Sequence, residues 1–218
     1  MSSPTLTDKV SKLIRQDILE GHLIPGQKLV VAELSKRYSV GASPVREALV
    51  QLSWTKYVKL APQKGCWVAP MCKEELDDLF DSLKIISDVL LRKAMKSGCE
   101  NWELDVLTSF HKLARVAHTP EQLNKSEWEQ RHYQFHCALL EGAKAHNMYG
   151  FFSEIINQIT RYRYYAINRH SDEALFDVSD HEMIMKLVLA RDTEQATALL
   201  DKHLNKAHRY IESALTAA

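Results

Sequence analysis

Apolar residues recur with a helical period over the first sixty positions. In "LTDKVSKLIRQDILEG" Val10, Leu13, Ile14 and Ile18 share one face, and Gly21 ends the run. "IPGQKL" reads as a turn. "VVAELSKRYSV" is a short second helix with Leu34 and Tyr38 inward. "GASPVREALVQLSW" is a third, with Val45, Ala48, Leu49 and Leu52 on its buried face. Ser43 reads as its N-cap and Pro44 as its first helical residue, since the N–H that proline lacks has no partner there anyway. The period then shortens. "YVKL" and "CWVA" are two short strands joined by the turn "PQKG", with Lys64 and Gly65 at the tip.

Beyond "PMCKEE" the pattern is helical almost throughout. Runs at 74–98, 101–118, 126–143 and 148–170 each show the helical period. The segments at 173–190 and 192–215 form a helical hairpin about Arg191 and Asp192, where Asp192 and Gln195 have capping-box spacing. The fold class is therefore mainly α. A winged helix-turn-helix with a small β-hairpin wing occupies 1–70, and an all-α antiparallel helical bundle occupies 74–218.

Charge sharpens this division. The 218-residue chain has a formal net charge of zero, but residues 1–70 hold ten Lys/Arg against five Asp/Glu, and the remainder reverses the excess. A basic head suggests a polyanionic partner. The third helix would enter the DNA major groove, where Arg46, outward at its start, can reach a guanine or a phosphate, with Ser43 beside it. Lys64 and Gly65 would bring the wing tip to the duplex, and Lys36 and Arg37 would reach phosphates. Cys66, Cys72, Cys99 and Cys137 form no C-x-x-C pair and read as reduced thiols. With no secretory leader and no run of membrane-spanning length, the expected location is the cytoplasm.

The bundle carries a second chemistry. His132 and His136, four apart in "RHYQFHCALL", stack on one helix face. His181 lies ten residues before Arg191 and His203 eleven after Asp192, so a hairpin brings them to one height. Phe135, Leu139, Ile184, Val188, Leu199 and Leu200 surround the four rings. A divalent transition metal would satisfy such a set, and imidazole suits Zn, Ni, Cu or Fe. The zinc-protease pattern H-E-x-x-H is absent, and only Asp180 and Glu182 offer acid–base groups nearby, so an enzyme is not expected. In "IINQITRYRYYAINR" Ile155, Ile156, Ile159 and Arg163 share a face. Arg163, with Arg161 and Tyr162 next, is thus a candidate for binding an anionic effector.

"ILEGHLIPGQKL", "ELSKRYSVGASPVREALVQL" and "KGCWVA" together resemble the GntR-type DNA-binding domain over about 15–69. Gly41 and Ala42 stand where that family often has Ser-Arg, which removes one commonly used DNA-contacting arginine. Lys56 and Tyr57 replace the usual Gly-Leu. Over about 74–212 the chain resembles the helical FCD effector domain of the FadR subgroup. That resemblance puts metal ligands at His136, His181 and His203, and His132 where the family usually has Asp, which favours nitrogen-loving ions such as Zn or Ni. Leu83 and Ser87 replace a family Arg and Glu on the first bundle helix. The resemblance implies a homodimeric regulator, in most such proteins a repressor, on a pseudo-palindromic operator in double-stranded DNA. A small organic acid bound beside the metal would control it. A metal-sensing regulator and a metal-dependent bundle enzyme are the alternatives.

Overall fold

The computed structural model describes residues 4–117, 124–169 and 176–216. Among these, nine helices and three short strands follow in the order α1 (Leu6–Leu19), β1 (Lys28–Leu29), α2 (Val31–Tyr38), α3 (Ala42–Trp54), β2 (Val58–Ala61), β3 (Gly65–Val68), α4 (Lys73–Ser97), α5 (Glu100–Ala117), α6 (Lys125–Glu141), α7 (His146–Arg169), α8 (Ser179–Leu189) and α9 (Thr193–Thr216). They pack as two units. One comprises Met1–Leu79, Ile156–His170 and Ile211–Ala218; the other comprises Phe80–Ile155 and Ser171–Tyr210. The expected mainly helical class holds. No helix of the described residues is long and apolar enough to cross a membrane.

In the first unit, α1 starts at a capping box: Thr5 Oγ1 accepts from the Asp8 N–H, and the Asp8 carboxylate accepts from the Thr5 N–H. Its inward residues Val10, Ile14 and Ile18 meet Leu34 of α2 and Val45, Ala48, Leu49 and Leu52 of α3 in one core. The connection from α2 to α3 is only Ser39, Val40 and Gly41, with Ser39 in the left-handed region at φ 55°. The third helix begins earlier than expected. Gly41 caps it without a side-chain bond, and Ser43 lies in the first turn, where its Oγ donates to Glu47 Oε1 at 3.1 Å. Pro44 is tolerated there because the first-turn N–H groups have no helical acceptor.

The wing has three strands rather than two, in the order β1-β3-β2 and antiparallel throughout. The added strand lies within "IPGQKL". Gly26, at φ +78°, turns the chain so that Lys28 and Leu29 pair with Trp67 and Cys66. Two residues carry no readable period, and their extended form is set by the partner strand. Leu29, Val58, Cys66 and Val68 close the core from the sheet side.

Among its described residues, the second unit is built of helices and short connections. The four cysteines of the whole chain are free thiols. The expected helix start at 173 falls outside the described residues, as do the expected run ends at 118 and 170, and α8 begins at Ser179. The α8–α9 connection is Ala190–Asp192, and Asp192 Oδ1 accepts from the Gln195 N–H at 3.2 Å. Arg191, at φ 58°, donates to the carbonyls of Met95 (2.6 Å) and Gly98 (3.0 Å), pairs with Glu103, and covers the Trp102 ring at 4.9 Å. Trp102 in turn lies against two glycines. A Cβ on Gly142 would stand 2.8 Å from three atoms of its indole, and one on Gly98 would also collide with it.

Gly142→Ala is therefore expected to lower unfolding free energy by about 1–3 kcal/mol through overpacking. Gly150→Ala, where nothing lies within 4 Å, should raise it by up to about 1 kcal/mol as a helix-interior glycine is replaced. Urea unfolding of the two variants beside wild type tests the contrast.

Candidate functional site

The residues expected to touch DNA lie on the exposed side of the head. Arg46 projects outward one turn into α3, opposite the buried stripe of Val45, Ala48, Leu49 and Leu52. Glu47 beside it is held by two hydroxyls: Thr7 Oγ1 donates to its Oε2 at 2.8 Å, and Ser43 to its Oε1. Lys64 and Gly65 are exposed at the wing turn, where Gly65 takes φ +121°, a conformation that disfavours other residues. Lys36 is exposed in the last turn of α2. Arg37 pairs with Asp17 of α1 at 2.8 Å, and Tyr38 donates to the same carboxylate at 2.6 Å. Asp17 thereby orients the end of α2, a role that its place in the first helix did not reveal. Burial and the Asp17 carboxylate both push the Tyr38 phenol up.

Arg161, Tyr162 and Arg163 belong to the unit that contains the head, and the four histidines to the other. Arg161 and Tyr162 both find partners within that unit. Arg161 is 1% exposed, and it donates to the Ala69 carbonyl at 3.4 Å and pairs with Glu75 at 3.5 Å. The Tyr162 hydroxyl donates to the same Glu75 carboxylate and accepts from the Cys72 N–H at 3.3 Å. Burial, with the Glu75 carboxylate, raises the Tyr162 phenol above its ordinary range. Nearby, fully buried Tyr57 donates to the Asn157 carbonyl at 3.3 Å under the Arg15 guanidinium, and Asn168 donates to the Leu19 carbonyl at 2.8 Å. Arg163 is half-buried in the same stretch.

The four histidines do converge. α6 supplies His132 and His136, α8 supplies His181, and α9 supplies His203. They are 7%, 8%, 2% and 9% exposed. One ring nitrogen from each lies within 4.8 Å of the others, and the Nε2 atoms of His132 and His136 are 3.1 Å apart. Two imidazole nitrogens on one ion, at bonds of about 2.0–2.1 Å, stand about 3 Å apart, so the pair fits a shared metal. Phe135 contacts the rings of His136 and His181 edge-on. Trp128, one turn before His132, stacks on its ring at 4.7 Å and 13°, which fixes the ring plane. Asp180 approaches His203 Nδ1 at 3.7 Å and Lys206 at 3.5 Å. Trp128 was not singled out from the sequence, although its spacing of four from His132 was the available signal.

Residues 6–68 match the profile of the gntR family of bacterial regulatory proteins, and residues 88–206 match the FCD domain. The chain belongs to the GntR family. It is 35% identical over 195 residues to the HTH-type transcriptional repressor GlaR of Escherichia coli K12, covering 88% of this chain and 89% of that one. It is 31% identical over 207 residues to the regulator BphR of Paraburkholderia xenovorans LB400, covering 93% and 84%. The solved structure of E. coli McbR/YncC superposes with a TM-score of 0.77 at 17% identity over 98% of this chain and 99% of that one, a likeness of fold. This GntR-family protein is thus a DNA-binding transcription regulator with an FCD domain, not an enzyme.

Arg46→Ala should weaken DNA binding by about 1–3 kcal/mol. Anisotropy titrations against a duplex selected from a random pool by the full-length protein would measure it. An undiminished affinity would remove Arg46 from the interface.

Proposed function

We propose that this GntR-family regulator is a repressor of the FadR subgroup. In this reading it binds a pseudo-palindromic operator as a homodimer, and a small organic acid bound at a metal in the FCD domain controls it. Arg46 and Ser43 would face the bases, while Lys36, Arg37, Lys64 and Gly65 would meet the backbone, so that two heads read two half-sites. The 35% identity to a protein named as a repressor supports the sign of regulation.

The observation that carries the effector half is the convergence of four imidazole nitrogens within 4.8 Å from three helices. His132, His136, His181 and His203 would hold Zn or Ni, which suit an all-nitrogen donor set. When bound, the ion would supply a cationic centre that attracts a carboxylate. Four neutral imidazoles leave its charge uncompensated, which favours an anionic ligand. Trp128 holds the plane of His132, and the apolar packing around the rings keeps water out. The effector acts on DNA affinity to the extent that it binds two arrangements of the heads unequally. Exposures of 9% or less favour a resident ion over an exchanging one that is itself the signal.

Elemental analysis of purified wild type is expected to give near-stoichiometric Zn or Ni, lost in both His136→Ala and His203→Ala. Chelation should lower the melting temperature of wild type alone, because an ion bound only to the folded state stabilises it by mass action. Wild type that stays metal-free after incubation with Zn and Ni would refute the metal centre and leave the DNA-binding head standing.

A further inference from the structure

The third strand of the wing creates a surface that a two-stranded hairpin would lack. The register pairs Lys28 of β1 with Trp67 of β3, and Trp67 with Lys59 of β2, so the three residues form one row across the sheet. The alternation of the strands puts Leu29, Val58, Cys66 and Val68 on the buried face, and this row on the opposite one. Lys28 and Lys59 are exposed, and Trp67 is half-buried between them. The Lys28 ammonium lies 5.9 Å from the centre of the Trp67 ring. A Cβ on Gly65 would meet the Lys28 stem at 3.5 Å and the indole at 3.7 Å, so both side chains extend over the wing tip. From residue 21 to 32 and from 55 to 72, which together span the sheet and its turns, there are four lysines and no Asp or Glu. Nothing acidic within the sheet neutralises the row.

We infer that this outer face of the wing is a second contact surface for the DNA backbone, with Lys28 and Lys59 each neutralising a phosphate and Trp67 as the rigid floor between them. The inference rests on the DNA-binding reading of the head. Two features favour duplex DNA as the occupant: the one-signed charge, and the continuity of the row with Lys64 and Gly65 at the tip. An indole under a lysine ammonium restrains where that charge points. Adjacent strands lie about 4.8 Å apart, so the two lysines are separated by about 10 Å and address different phosphates.

The test is the salt dependence of binding by the full-length protein to a duplex that it selects from a random pool. Each phosphate contact contributes about 0.9 to the slope of log affinity against log salt. Lys28→Gln/Lys59→Gln is expected to make the slope shallower by about 1.8 for each head on the duplex, about 3.6 for a dimer on two half-sites, while the sequence preference persists. Lys28→Arg/Lys59→Arg should keep the wild-type slope, which a general loosening of the sheet in the Gln variant would not explain. An unchanged slope in the Gln variant, with wild type binding normally, overturns the wing-face contact alone. Wild type that selects no duplex overturns the DNA-binding reading beneath it.

Discussion

Four imidazole rings enclosed by apolar side chains are the constraint on which the FCD domain turns. Removing such rings from water is unfavourable unless their nitrogens find partners. α6, α8 and α9 must therefore meet with their histidines in register, and a slip of one residue on any of these helices would swing a ring about 100° away. The rest of that packing serves the register. Arg191 fixes the α8–α9 turn to the carbonyls of Met95 and Gly98, and so sets the height at which His181 and His203 lie side by side. Trp102, under Arg191 and against Gly98 and Gly142, ties the end of α6 to the same place.

The head obeys a simpler rule. Its core faces are short stripes of aliphatic residues, and what remains outside is free for a partner. Arg46 is exposed because its neighbours in α3 fill the core. Arg37 shows that an exposed cation can also have an internal task, since Asp17 holds it and Tyr38 together at the end of α2.

Much of this was legible in the sequence because the signals were local. The stripe Val45, Ala48, Leu49 and Leu52 sets the orientation of α3, and similar distances from the Arg191–Asp192 turn bring His181 to His203. β1 was not legible, since a two-residue strand takes its form from pairing with β3. Nor was the start of α3, where Ala42 continues the helix past the expected cap at Ser43. The partners of Arg161 were not legible because α7 changes surroundings along its length: from Ile156 onward it belongs to the other unit, and Ile159, Tyr162 and Ala166 become its buried face. A period fitted to the whole helix averages two different faces.

That change along α7 bears on how such a protein can be taken apart. The DNA-binding unit is assembled from three separated stretches of chain, and Tyr57, Leu19, Ala69 and Cys72 find hydrogen-bond partners on residues 157–168. A boundary drawn in sequence near residue 70 leaves these partners on its far side. Chimeras that join this head to another sensor would have to carry the second half of α7 with it. Within the family, exchange of sensors would be limited to those whose own helix presents matching residues to the head.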